Sequence, residues 1–228
     1  MKLSRRIISV LFTPIIIIML TTTTALAWDK QVNKVKSATD VMNEIRRIPE
    51  KGIPPKLLKD AQAIAVIPSV LKLGFIFAIR YGQGVVSVRK SDGSWSNPSF
   101  ISLVGGSAGF QAGAQSTDII LVFKNKERAY NMRRGKLTLG VDASVAVGPV
   151  GRHAEAATDT QLKAQVYSYS RSRGLFAGIA LEGASIMIDH KSNEIFYETK
   201  DVSTMDIFKD DGISTPKAAE KFKNSLSN

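Results

Sequence analysis

Two histidines and no cysteine stand among the 228 residues, so the side chains that most often serve as general base or nucleophile are scarce. A serine triad needs an imidazole, and only His153 and His190 offer one. Neither sits in a recognisable motif, and His190 falls in the turn-like run His190-Lys191-Ser192-Asn193. Zero cysteine excludes thiol nucleophiles, disulfides and thiolate metal sites. Asp142, Glu155 and Asp159 form the nearest acidic grouping, and oxygen ligands suit calcium. Their spacing matches no calcium loop, and salt bridges or polar sheet positions account for them better. Gly105-Gly106-Ser107-Ala108-Gly109 looks like a phosphate cradle but lacks the Gly-Lys-Ser/Thr ending and the following helix. Gly148-Pro149-Val150-Gly151 reads as a turn. The chain is therefore read as non-enzymatic, with no catalytic residue, metal or cofactor assigned.

Binding chemistry is better represented. Lysine and arginine number 31 against 20 acidic residues, a formal net charge of +11, which attracts anionic partners. The densest stretch is Lys124–Lys136, where Lys124, Lys126, Arg128, Arg133, Arg134 and Lys136 face Glu127 alone. On a helix, Lys126, Arg133 and Arg134 gather on one side with Tyr130 among them, while Ala129 and Met132 turn away. A cationic face with one aromatic suits the head-group region of an anionic membrane; a solvated helix packed through Ala129 and Met132 is the structural alternative. Val32, Val35, Ala38, Met42 and Ile45 recur at spacings of three and four and share a second helix face. That face could enter lipid, flanked by Lys30, Lys34 and Lys36. The opposite side is mixed in sign (Lys36, Asp40, Glu44, Arg47), so packing on a core suits this helix better. Arg152, Arg171 and Arg173 add positive charge near loops.

The elements that must position these residues follow from pattern. Lys2, Arg5 and Arg6, the apolar run Ile7–Leu20 and Ala25-Leu26-Ala27 read as an export signal cleaved after Ala27. An uncleaved anchor is the alternative, though the run is short for a span. The expected location is periplasmic or secreted, peripheral on a membrane, and export argues against a nucleic-acid partner. Residues 28–60 form an N-terminal helical segment broken at Pro49, Gly52, Pro54 and Pro55. Residues 61–199 form a β zone with strands expected at Ile64–Ile67, Phe75–Tyr81, Val85–Arg89, Phe100–Val104, Ile119–Phe123, Leu137–Val147, Leu162–Ser170, Leu175–Ile188 and Glu194–Thr199. Alternation is cleanest in Leu137–Val147, with Leu137, Leu139, Val141, Ala143, Val145 and Val147 on one face. A short helix is expected over Asn125–Arg134 with Asn125 as cap. Another starts at Thr215-Pro216 in a C-terminal tail, residues 200–228. The fold class is α+β: a predominantly antiparallel sandwich or barrel-like core with N-terminal, central and C-terminal helices.

Ordered blocks across Asp40–Asp189 resemble the SYLF domain, a lipid-binding module. They include Gly52-Ile53-Pro54, Ala63–Pro68, Tyr81-Gly82-Gln83-Gly84-Val85, Trp95–Phe100, Gly113–Asp118, Gly140–Ala146, Gly148–Arg152 and the run Ser170–Gly183. The resemblance implies phospholipid binding, with phosphoinositides favoured in eukaryotic members, through an N-terminal amphipathic helix and basic residues. Here these fall on Val32–Ile48, including Lys34, Lys36, Arg46 and Arg47. The chain departs from the pattern at Ala78-Ile79, where small residues are usual, and at Gln62, where lysine is common. The expected partner is an anionic phospholipid or membrane surface. The alternative is an envelope structural protein that binds a protein partner through an apolar helix.

Overall fold

The computed structural model describes residues 26–47, 52–74, 77–108, 113–150, 163–172 and 175–227. Helix α1 (residues 26–46) buries Val32, Val35, Ala38, Val41, Met42 and Ile45 in the core, the face that the spacing marks out. Pro55, one of the expected helix breakers, instead occupies the first turn of α2 (Pro55–Asp60), which buries Leu57. Proline suits that position because its missing N–H would be unpaired there anyway.

Four long strands follow: β1 (Ala63–Gly74), β2 (Phe77–Val88), β3 (Ser99–Ala108) and β4 (Gly113–Phe123). Then come α3 (Lys126–Asn131), a 3-10 turn (Met132–Arg134), and the short strands β5 (Lys136–Thr138) and β6 (Val145–Val147). After them lie β7 (Val166–Ser172), β8 (Leu175–Gly178) and β9 (Ser185–Ile188). Helices α4 (His190–Tyr197), α5 (Thr204–Lys209) and α6 (Lys217–Ser227) close the chain. The curled sheet runs β5-β9-β3-β2-β1-β4-β7-β6, with β8 beside β7. Its ladders are antiparallel except β6 on β7. The α+β class with N-terminal, central and C-terminal helices is as expected.

Three strand assignments need correction. Glu194–Thr199 is mostly helix: α4 buries Ser192, Asn193, Phe196 and Tyr197, a spacing of one and four that belongs to a helix face. Its start is fixed by Asp189, whose carboxylate accepts from the Ser192 amide (3.0 Å) and hydroxyl (2.8 Å). The apparent turn His190–Asn193 is thus a first helical turn. Leu137–Val147 is two short strands around a loop. Gly140 takes a left-handed φ of 84°, and the Asp142 carboxylate accepts from the Thr138 amide at 2.6 Å. Leu137, Leu139 and Ala143 stay buried, but Val141 is 79% exposed, so the alternating face does not exist. Leu175–Ile188 likewise breaks at Gly183 (φ 80°), and its halves join opposite sides of the sheet. Conversely, the two segments expected around Gly82 and Gly84 are one strand, β2.

The cap at Asn125 forms as expected, its side chain accepting from the Glu127 amide at 2.8 Å. Ala129 and Met132 pack inward. The C-terminal elements are tied in firmly. Asp210 accepts from Lys90 (2.8 Å), Lys223 (3.0 Å) and the Asn97 amide (2.7 Å). The Leu226 carbonyl accepts from both Trp95 Nε1 (3.1 Å) and Arg46 Nη2 (2.8 Å).

Two outcomes follow from this packing. A Cβ at Gly84 would lie 2.1 Å from the Val66 carbonyl oxygen and 2.6 Å from Ile67 Cα, whereas one at Gly106 meets nothing. Gly84→Ala should therefore cost about 3 kcal/mol or more, and Gly106→Ala almost nothing, by chemical denaturation. At Asp210, burial pushes the carboxyl up, but the bonds from Lys90, the Asn97 amide and Lys223 outweigh it and leave it below its ordinary value. A carboxyl lowered by folding stabilises the fold above its unfolded pKa of about 3.9 and loses that effect as pH falls through the folded value. Asp210→Asn keeps a residue that tolerates the left-handed φ of 57°. It should cost about 2 kcal/mol at pH 7, a difference that shrinks below about pH 4 in thermal melts.

Candidate functional site

The sequence-derived cations fall on two separate helices. On α1, Lys36 and Arg47 are exposed, Lys34 is half-buried and Arg46 is half-buried. Burial, and then the neighbouring Lys30, draws the Lys34 ammonium below the usual lysine range. Arg46 is bonded to the Leu226 carbonyl, and its Nε is buried without an acceptor among the described residues. The apolar face between these residues is already in the core, so it is not free to enter lipid in this state. On α3, Lys126 and Arg133 are exposed, while Tyr130 is half-buried and meets Phe208 edge-on at 5.5 Å. Tyr130 and Arg133 share the wall of an open cleft of about 460 Å³ with Glu127, Asn131 and Met205. For Arg134 the backbone is described, in the 3-10 turn, and the side chain lies outside the described residues.

Other charged candidates are bound to structure. Arg171 does not add loose positive charge: its guanidinium pairs with Asp118 (2.7 Å) and with Glu44 of α1. Arg128 donates to the Asp142 carbonyl (2.9 Å). Arg152, His153, Glu155, Asp159 and Arg173 lie outside the described residues, as does most of the expected signal segment. Among the described residues no three His, Cys, Asp or Glu side chains gather as metal ligands. No described helix is long and apolar enough to cross a membrane.

A surface that pattern reading missed lies where the long strands outrun the core. Leu71 pairs with Tyr81, Tyr81 with Val104, and Leu73 with Ile79. Directly opposed residues share a sheet face, so these five apolar side chains form one patch across three strands. Their exposure runs from 38% at Val104 to 66% at Ile79. Lys72 and Arg80 alternate with them and sit on the other face, where Arg80 donates to the Ala180 carbonyl (2.9 Å). The alternation was visible in Leu71-Lys72-Leu73 and Ile79-Arg80-Tyr81. It normally marks a face packed on a core, and nothing local says that the core ends before Leu71.

At Gly148, the first residue of one of the sequence blocks, packing decides the residue type. Tyr169 is buried, stacked on Phe176 at 5.3 Å, and a Cβ at Gly148 would clash with its ring, 2.1 Å from the nearest carbon. Burial drives the Tyr169 phenol far above its ordinary pKa. It is a core aromatic, held un-ionised. A family model described as Ysc84, Las17-binding protein actin regulator, matches residues 104–228, more than half of the chain. The chain belongs to the Ysc84 family. The SYLF resemblance read from the sequence blocks is thereby borne out. Ysc84 relatives include SH3 domain-containing YSC84-like protein 1 of Xenopus laevis, 39% identical over 179 residues, covering 75% of this chain and 53% of that protein. The Homo sapiens protein of that name is 36% identical over 195 residues, 82% and 55% of the two chains. Protein YSC84 of Saccharomyces cerevisiae is 40% identical over 159 residues, 68% and 34% of the two chains. The chain thus spans about half, or less, of the Ysc84-family proteins it matches.

The ion pairs of Arg171 separate structural from binding cations. Arg171→Gln should cost about 2 kcal/mol in denaturant melts by loosening α1 from β4, and should leave attraction to anionic vesicles unchanged at temperatures where the variant is folded.

Proposed function

We propose that the chain is a non-enzymatic, exported protein, periplasmic or secreted after cleavage near Ala27, that docks on anionic phospholipid membrane. The observation that carries this reading is the patch of Leu71, Leu73, Ile79, Tyr81 and Val104 on a sheet extension. Moving one such half-exposed side chain out of water contributes about 1 kcal/mol at roughly 25 cal/mol per Å². The five together contribute on the order of 5 kcal/mol, which association entropy largely offsets. Basic residues near an anionic surface add roughly 1 kcal/mol each. Neither term suffices alone, so docking needs both the patch and the positive excess, with Lys126 and Arg133 (exposed on the central helix) and Lys36 and Arg47 (exposed on α1) as the cations. Lys34, Tyr130 and Arg134 complete the sequence-derived set, and Arg46 is engaged within the fold.

A protein partner is the second reading, favoured by the family description as Las17-binding actin regulator and by relatives such as LAS seventeen-binding protein 3 of yeast. The apolar face of α1 is buried in this fold, so such a partner would meet the same exposed sheet patch.

Co-sedimentation with phosphatidylcholine vesicles, with and without phosphatidylglycerol, separates the readings. Docking should require the anionic lipid and weaken several-fold between low and high salt. It should drop at least about tenfold in Leu73→Asp/Ile79→Asp and fall at low salt in Lys126→Glu/Arg133→Glu, with thermal stability unchanged because all four residues are exposed. No pelleting under any condition would overturn the membrane reading and leave the patch to a protein partner.

A further inference from the structure

A cavity of about 550 Å³ opens between the end of α1, α2 and the end of α6. Its size falls within the roughly 300–1,000 Å³ typical of small-ligand sites. Three cations line it, Arg46, Lys59 and Arg89, and among the described residues no carboxylate lines it. Its remaining wall is mostly apolar, from Ile45, Ile53, Leu58 and Leu226. Asp60 acts on the Arg89 charge without lining the cavity.

The cations differ in how committed they are. Arg89 is fixed: it donates to the carbonyls of Ala61 (2.8 Å), Gly93 (3.2 Å) and Leu58 (3.2 Å) and lies 4.5 Å over the Trp95 ring. Arg46 spends one Nη2–H on Leu226, and its buried Nε–H has no acceptor among the described residues. A buried guanidinium donor left unpaired is costly, and an anionic oxygen would satisfy it. Lys59 stands exposed at the rim. Three positive groups beside an apolar wall match one chemistry, an anionic head carrying one apolar chain.

We propose that this cavity binds a single-chain anionic amphiphile, with its carboxylate or phosphate held by Arg46, Lys59 and Arg89 and its chain laid against Ile45, Ile53, Leu58 and Leu226. The site is distinct from the sheet patch and does not rest on membrane docking. Trp95, bonded to Leu226 and stacked under Arg89, reports occupancy through its emission, with Trp28 replaced by phenylalanine to remove the other indole.

The test is titration of the full chain, by calorimetry and Trp95 emission, with sodium laurate below its micelle concentration, dodecyl phosphate, dodecanol, acetate and inorganic phosphate. Laurate and dodecyl phosphate should bind, with dodecanol and the two small anions at least about tenfold weaker, since the head and the chain each supply part of the affinity. Lys59→Glu should weaken laurate about tenfold with unchanged melting temperature, and Arg46→Gln should do so while retaining a donor for Leu226. Leu73→Asp/Ile79→Asp should bind laurate normally, which separates this site from vesicle docking. Absence of laurate binding, equal affinity for dodecanol, or indifference to both Lys59→Glu and Arg46→Gln would overturn the proposal. Phosphate binding as tightly as laurate would overturn the amphiphile assignment.

Discussion

The sheet is longer than the layer that covers it, and most of the molecule follows from that mismatch. Strand β1 runs twelve residues, about 40 Å at the usual strand rise. Its first six residues are buried on both faces, and beyond them burial alternates and then fails. The buried half is pressed so tightly that Gly84 admits no side chain against the β1 backbone. The outer half carries Leu71 and Leu73 into water. Core and candidate binding surface are therefore two ends of the same strands, and the rigidity of one end positions the other.

Net charge overstates how much of the basic surface is available to a partner. Lys90 and Lys223 converge on Asp210, and Arg171 is held between Asp118 and Glu44. Arg80, Arg89 and Arg128 donate to backbone carbonyls. These groups clamp helices and loops to the sheet. The exposed cations, on α1 and α3 and also at positions such as Lys59, Lys136, Lys191 and Lys221, stand outside these clamps and supply the long-range positive field.

Much of the fold was legible where the signal was local. The apolar stripe of α1, the Asn125 cap and Pro216 before α6 are short-range physics, and each formed as read. The failures share a cause: residues whose burial is decided by distant partners. Phe196 and Tyr197 read as strand because aromatic residues favour sheets, yet a cap at Asp189 and contacts such as the Phe100–Phe196 edge (5.2 Å) made them a helix face. Val141 and Val147 alternate correctly, but the left-handed Gly140 turned the chain after β5 and left Val141 in a loop. At the candidate site, the basic residues of α3 came from a local charge run placed on a helix, and those of α1 from the family resemblance. The sheet patch and the cavity were not legible, because Leu71 and Tyr81, or Arg46 and Arg89, meet only through tertiary structure.

The ladders also end unevenly. Strand β9 pairs with β3 only over Ile101–Val104, and β7 with β4 only over Asp118–Phe123. Residues 105–108 and 113–117 therefore have a neighbouring strand on one side alone among the described residues. Open edges of this kind invite another chain to add a strand and propagate into aggregates. Here they read Gly-Gly-Ser-Ala and Gly-Ala-Gln-Ser-Thr, sequences with few β-branched or aromatic side chains to stabilise an added strand. The ends of the strands that carry an apolar face into water are thus too poor in β-forming residues to template their own extension readily.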